Sequence, residues 1–269
     1  MKVIEIKNAV KIYNDSEVKV NAVNGVTLSF EEGEFAAIVG PSGSGKTTLL
    51  NMLGGLDNPT EGDILINDFS VSEMYAQIER NQSHINQTLK IILRILIIPA
   101  LIRGIMLFPK NIRRIRAERR LIDFRLNNIG FVFQSYNLLP VLTAKENANF
   151  VMEMQGISKS VRDKRVEELL SAVGLGDRLD SRPSRLSGGQ QQRVAVARAL
   201  ASKPKFILAD EPTANLDSKS TENLLEIMER LNREEKITFI FSTHDARVVK
   251  KARRVITLED GKILSDDVK

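Results

Sequence analysis

One eight-residue stretch constrains this chain more than any other: Gly40-Pro41-Ser42-Gly43-Ser44-Gly45-Lys46-Thr47. It has the spacing G-x-x-x-x-G-K-[ST], a loop that holds polyphosphate. Multiply charged phosphate needs many donors at once, held away from water. Glycines let successive backbone N–H groups turn inward as an anion-binding nest. A helix starting directly behind adds the positive end of its dipole. In such loops the lysine reaches the β- and γ-phosphates and the hydroxyl residue ligates Mg²⁺, which assigns those tasks to Lys46 and Thr47. Thr48 belongs with the loop as a further nucleotide contact. The flanks suit the reading: Phe35–Val39 is a short apolar run expected as a buried strand, and Thr48–Leu53 continues as a helix. A chance glycine turn would lack that strand–loop–helix order.

Two further segments bear on phosphate chemistry. Phe206-Ile207-Leu208-Ala209 runs into Asp210-Glu211. Acids at the tip of a buried strand sit where ligands bind in open α/β sheets. Asp210 suits Mg²⁺, and Glu211 suits polarising a water, the two able to divide these roles because neighbouring residues on a strand point opposite ways. Alone, the pair equally suits capping of the turn at Pro212. Leu186-Ser187-Gly188-Gly189-Gln190 precedes a helical pattern and forms a second anion-binding helix start. An ordinary serine cap with a glycine turn is the plain alternative. Two phosphate-binding helix starts with one lysine loop make sense if the second completes the first on another copy.

These elements, in this order, resemble an ABC-type ATPase, the nucleotide-binding subunit of ABC transporters. Gln134, in Phe131-Val132-Phe133-Gln134, falls at the family's Q-loop glutamine. Ser187–Gln190 lies in its signature motif, Asp217 in Asn215-Leu216-Asp217 resembles its D-loop aspartate, and His244 in Ser242-Thr243-His244-Asp245 its switch histidine. Tyr13 stands where the family places an aromatic that stacks on adenine; by itself it equally suits a strand residue packed on a sheet. Leu53-Gly54-Gly55-Leu56-Asp57, Tyr136–Pro140 and Ala209–Thr213 are similar to the subgroup of lipoprotein-release, macrolide-export and antimicrobial-peptide export ATPases. Ala214 departs from that subgroup's more usual glycine.

The resemblance implies a P-loop α/β fold. Its parts are a mostly parallel core sheet, an antiparallel β subdomain, a helical subdomain at roughly 135–190 and a reaction needing ATP and Mg²⁺. Two copies would face head to tail and trap two ATPs, each between one Lys46 loop and the other copy's Ser187–Gln190. Glu211 would act on the attacking water, with His244 and Gln134 as its catalytic companions. Thr47, Gln134 and Asp210 would surround the metal, and Asp217 would take part in nucleotide binding. Implied partners are integral membrane permease subunits, and the implied location is the cytoplasmic face of the cell membrane. A non-transport ABC ATPase with a regulatory or nucleic-acid-remodelling role is the alternative. It is disfavoured by a single ATPase unit and the lack of sustained heptads.

Periodicity predicts strands at Val3–Ile12, Val18–Phe30 and Gly62–Asn67, and helices at Val161–Val173 and Thr221–Leu231 with a start signal at Asp217-Ser218. The chain has no cysteine, so no disulfide framework is available. Its first residues alternate as a strand and lack the apolar core of a secretory signal.

Charge locates one anomaly. From Lys90 to Arg125 ten basic residues face two acids, a net of +8 in a chain of +5, leaving −3 elsewhere. The family that this chain resembles usually has a much shorter connection here, so residues 73–120 read as a basic, apolar helical insertion. A spanning helix needs about 20 predominantly apolar residues, and Lys90, Arg94, Pro99 and Arg103 interrupt this run. Apolar segments with arginines instead suggest contact with anionic lipid through 89–120, or with the permease. A hairpin packed on the protein's own surface is the plain alternative. Nucleic acid is not expected, because aromatics make up only 5% and Trp is absent.

Overall fold

A computed structural model describes residues 1–14, 19–80 and 118–269. Its centre is built from three short runs that are apolar nearly throughout: β3 (Phe35–Val39), β7 (Phe206–Asp210) and β8 (Thr238–Ser242). Strands buried on both faces read as continuous apolar runs, the mark of a parallel sheet covered on each side. With β6 (Ile129–Val132), β9 (Arg254–Glu259) and β10 (Lys262–Val268) they form a six-stranded sheet in the order β10-β9-β3-β8-β7-β6. All neighbours are parallel except β9 and β10.

Alternate residues of each central strand enter different apolar layers. Phe35, Ala37, Phe239 and Phe241 join one layer, whereas Ala36, Ile38 and Ile240 join the other. The first layer is closed by helices α4 (Ala144–Met154), α5 (Lys159–Ala172), α6 (Gly188–Ala201) and α7 (Ser218–Glu235). The second is closed by α1 (Lys46–Leu53) and an antiparallel sheet. That sheet has the order β2-β1-β4-β5, from β1 (Lys2–Tyr13), β2 (Val20–Glu31), β4 (Glu61–Ile66) and β5 (Phe69–Ser70). Removing a buried phenylalanine such as Phe239 costs about 3–5 kcal/mol, against about 1 kcal/mol for a helix cap. Core burial, not capping, therefore sets the sheet.

Caps decide where the helices begin. Asp217 accepts from the Ser220 amide and starts α7 earlier than periodicity places it, because the polar first turn carries no apolar signal. Thr143 and Glu146 form a reciprocal capping box at α4. Helices at 71–80 (α2) and 118–128 (α3) overlap the two ends of the insertion expected at 73–120, and a last short helix, α8, spans Ala246–Lys251. Phe124 of α3 packs its ring 5.3 Å from Phe69. Residues 81–117, and with them most of the basic apolar run and the lipid contact assigned to it, lie outside the described residues. So does Val18, the expected start of the second strand.

Asn147 ties the segment after Gln134 to α4. Its side-chain amide donates to the carbonyls of Leu139, Leu142 and Thr143, and its carbonyl accepts from the Leu139 amide. It is 1% exposed. Replacing Asn147 with alanine strands these groups and should lower stability by about 1–3 kcal/mol, read from the midpoint of denaturant unfolding. An unchanged midpoint would show that the segment stands without it.

Candidate nucleotide site

Four adjacent strands, β3, β8, β7 and β6, end at one edge of the sheet, and each is followed by a functional segment. After β3 comes the phosphate loop, after β7 the acids, after β8 His244 and after β6 Gln134. The register is nearly level: Ile38 pairs with Ser242, Asp210 with Ser242, and Val132 with Ala209.

The phosphate loop owes its shape to two close backbone approaches. Gly40 has φ +150°, and a Cβ there would lie 2.0 Å from the Leu258 carbonyl oxygen. Gly45 has φ +96°, and its Cβ would lie 2.1 Å from that of Ala22. Only glycine allows the loop to press against β9 and β2 in these conformations. The Lys46 ammonium donates to the carbonyls of Gly40 and Pro41 at 2.8 and 2.9 Å. Helix α1 starts at Lys46, so its free amide end faces the loop.

The Thr47 hydroxyl lies 3.3 Å from both carboxylate oxygens of Asp210. Burial raises the Asp210 carboxyl above the usual aspartate range, with hydrogen bonds opposing the shift. A hydroxyl and a partly buried carboxylate are hard oxygen donors that suit Mg²⁺. This ion takes few protein ligands and completes its shell with water and substrate phosphates. Among the described residues no group of three or more acids and histidines gathers as a self-sufficient metal cage.

Glu211 lies past the end of β7, and the division of labour expected from strand alternation needs correcting. Its φ is +43°, a left-handed conformation costly for a residue with a Cβ. The turn itself, not the pleat, swings the two carboxylates apart. The Glu211 amide donates to the Ser242 carbonyl at 2.8 Å. One carboxylate oxygen accepts from the Thr243 hydroxyl at 3.0 Å, and the other lies 2.6 Å from His244 Nδ1.

One cavity of about 780 Å³ gathers Tyr13, the loop residues Gly40–Gly43, Gly45–Thr48, Gln134, Glu211 and His244. Ser44 is buried behind the loop. At the rim, the Tyr13 hydroxyl donates to Asp57 at 2.7 Å, and the Lys11 ammonium lies 5.0 Å from the ring centre. Burial opposes the ionised form of Asp57, but bonds from Lys11 and Tyr13 prevail and lower its pKa.

The other expected residues stand elsewhere. Ser187 caps α6 by accepting from the Gln190 amide, while the Gln190 side chain accepts from the Ser187 amide. Gly188 and Gly189 pack against Tyr136, Asn215 and Ser220. Asp217 caps α7. None of Ser187–Gln190 or Asp217 lines the cavity.

Three contributors escaped sequence reasoning. Arg198 of α6 donates to the carbonyls of Tyr136 and Asn137 at 2.9 and 2.5 Å, and both acceptor residues are left-handed. Asp57 holds Tyr13, and Thr243 holds Glu211. Their partners are remote in sequence, so no spacing signals them.

Comparison with known proteins agrees with this geometry. The ABC transporter family model matches residues 23–98 and 102–214. An ABC transporter ATP-binding protein of Thermotoga maritima is 44% identical over 262 residues, covering 97% of this chain and 94% of the relative. The macrolide export ATP-binding/permease protein MacB of Hyphomonas neptunium is 41% identical over 263 residues. That alignment covers 98% of this chain and 34% of MacB. A dimeric structure of the ATP-binding cassette MJ0796 in a post-hydrolysis state, bound to ADP and Pi, superposes with a TM-score of 0.76. Its identity is 35%, and the match covers 98% of both chains. The chain belongs to the ABC transporter family, as an ATP-binding subunit with ATPase activity that uses ATP and Mg²⁺. Among the described residues no helix is long and apolar enough to cross a membrane.

Beside the site, Asp245 accepts from Thr213 at 2.8 Å, pairs with Arg247 and caps α8. The Arg247 guanidinium, against the pull of burial, holds its carboxyl at about 2 rather than the ordinary 3.8. A depressed carboxyl stabilises the fold above its unfolded pKa and loses that effect as pH falls through the folded value. Asp245→Asn should therefore be less stable than the parent by about 1 kcal/mol near neutrality, Arg247 being solvent-screened. The gap should close between pH 3.8 and about 2, as followed by unfolding midpoints across pH. A gap that persists into acid would assign the effect to something other than this ionisation.

Proposed function

We propose that two copies pair head to tail around two ATPs, and that hydrolysis between them drives a membrane permease for export or extraction. One observation carries this reading: the second phosphate-binding helix start, at Ser187–Gln190, lies outside the cavity that holds the Lys46 loop. A second copy would bring that start, with Asp217, against the terminal phosphate. The dimeric state of MJ0796 and the fused ATP-binding/permease plan named for MacB support the pairing and the membrane partner.

The roles follow from position. The loop amides and Lys46 neutralise phosphate charge, and Tyr13 stacks on the adenine. Thr47 and Asp210 hold Mg²⁺, with Gln134 reaching toward it from the cavity wall. When bound there, Mg²⁺ stabilises charge on the phosphate oxygens. Glu211 accepts the proton of the attacking water, or orients it, and His244 steadies that carboxylate beside the γ-phosphate.

The whole chain acts as one nucleotide-binding domain, with 135–190 its helical subdomain and 73–120 an added insertion. A groove of about 330 Å³ beside Phe133 is lined by Leu56, Leu126, Ile129, Phe131 and Phe150. Its apolar lining suits a segment of the permease and supports a position on the cytoplasmic membrane face. The net +8 between Lys90 and Arg125 suits an added contact with anionic lipid.

Glu211→Gln should bind ATP, hydrolyse it at least about 100-fold more slowly and accumulate as a dimer in size-exclusion chromatography. Normal turnover would remove Glu211 from its role, and an ATP-loaded variant that stays monomeric would count against the paired site. Deleting residues 81–117 should abolish flotation with anionic liposomes; equal flotation of both forms would end the lipid contact.

A further inference from the structure

We propose that Thr243 is a positioning residue for ATP hydrolysis, acting through Glu211. The inference rests on the role given to Glu211 above. Thr243 is fully buried at the tip of β8, between the strand that carries the phosphate loop and the helix that follows His244. Three bonds define its place. Its amide donates to the Ile38 carbonyl at 3.1 Å, which ties it to the end of β3. Its hydroxyl oxygen accepts from the Asp245 amide at 3.0 Å, and the same hydroxyl lies 3.0 Å from Glu211 Oε2.

The direction of the last bond is dictated. A threonine hydroxyl has one proton and two lone pairs. The Asp245 amide occupies a lone pair, and an ionised carboxylate offers no proton. The hydroxyl proton therefore points at Glu211. A β-branched side chain is stiff about its first torsion, so the donor is set by the backbone on both sides.

This bond has a specific consequence. Glu211 leaves the strand in a left-handed turn, and the amide of Glu211 bonds to Ser242. The backbone is thus held, but the carboxylate keeps its own torsions. Thr243 grips one oxygen from beneath and leaves the other toward His244 and the cavity. His244 is largely exposed, with 76% of its side chain accessible, and is the weaker restraint. Thr243 therefore fixes which carboxylate oxygen faces the attacking water and at what angle.

The test separates the hydroxyl from the fold and from the Glu211 assignment. Thr243→Val keeps the shape and removes the donor; Thr243→Ser keeps the donor and removes a methyl. Valine should lower kcat by about 10- to 100-fold and leave the KM for ATP within about twofold. The valine variant should also accumulate the ATP-loaded dimer on size-exclusion chromatography, while serine restores turnover. In a Glu211→Gln background, Thr243→Val should add less than about twofold, since residues that act as a unit are not additive. Wild-type turnover by the valine variant, or equal slowing by serine and valine, would overturn the proposal. So would a full extra loss in the Glu211→Gln background. Circular dichroism confirms folding of each variant; if valine does not fold, Thr243→Ala removes the same hydroxyl and is judged by the same outcomes. A Glu211→Gln single variant with normal turnover would instead show that the underlying assignment had failed.

Discussion

The level parallel register of β3, β8, β7 and β6 is the constraint on which the site depends. Parallel strands leave a sheet on the same edge, so four loops distant in sequence emerge side by side. Ile38, Ser242, Asp210 and Val132 mark their tips. A slip of one residue would move Phe239 and Phe241 from one apolar layer to the other. It would also turn Asp210 away from Thr47. The two layers on either side of the sheet thus hold the chemistry as firmly as they hold the fold.

That rigidity supports local conformations which are costly in isolation. Glu211 has a left-handed backbone, and Gly40 and Gly45 press within reach of neighbouring carbonyls. The left-handed Glu211 costs about 1–3 kcal/mol and persists because the surroundings over-determine it, whereas the two positive-φ positions of the loop are open to glycine. Here the surroundings are the buried aromatic strands and the hydrogen bonds through Ser242, Thr243 and Asp245. The turn after Asp210 separates two adjacent acids into different environments. One lies partly buried beside the Thr47 hydroxyl and the other opens on the cavity.

The same principle links the outer loops. Arg198 extends from the helix begun by Ser187 to the carbonyls that follow Gln134, and Asn215 donates to the Gln134 carbonyl at 3.0 Å. Charge-assisted bonds from a partly buried guanidinium are strong and directional. They join the second helix start, the segment before Asp217 and the cavity wall into one connected surface.

Much of this was readable from local chemistry. The glycine-lysine loop, the acid-ended apolar strand, the Ser-Gly-Gly helix start and the cap at Asp217 each declare themselves in a few consecutive residues, because phosphate and helix ends impose their needs locally. Helix and strand bounds shifted by a few residues where polar first turns carry no apolar period. The hold of Thr243 on Glu211, of Asp57 on Tyr13 and of Arg198 on the left-handed pair at 136–137 was not readable. Each joins residues far apart along the chain or fixes an angle that composition does not encode. The sequence by itself determined which groups are present to bind phosphate and metal. Only the tertiary structure decided which of them share one cavity, since strand register and the packing of two apolar layers are properties of the assembled sheet and of no single segment.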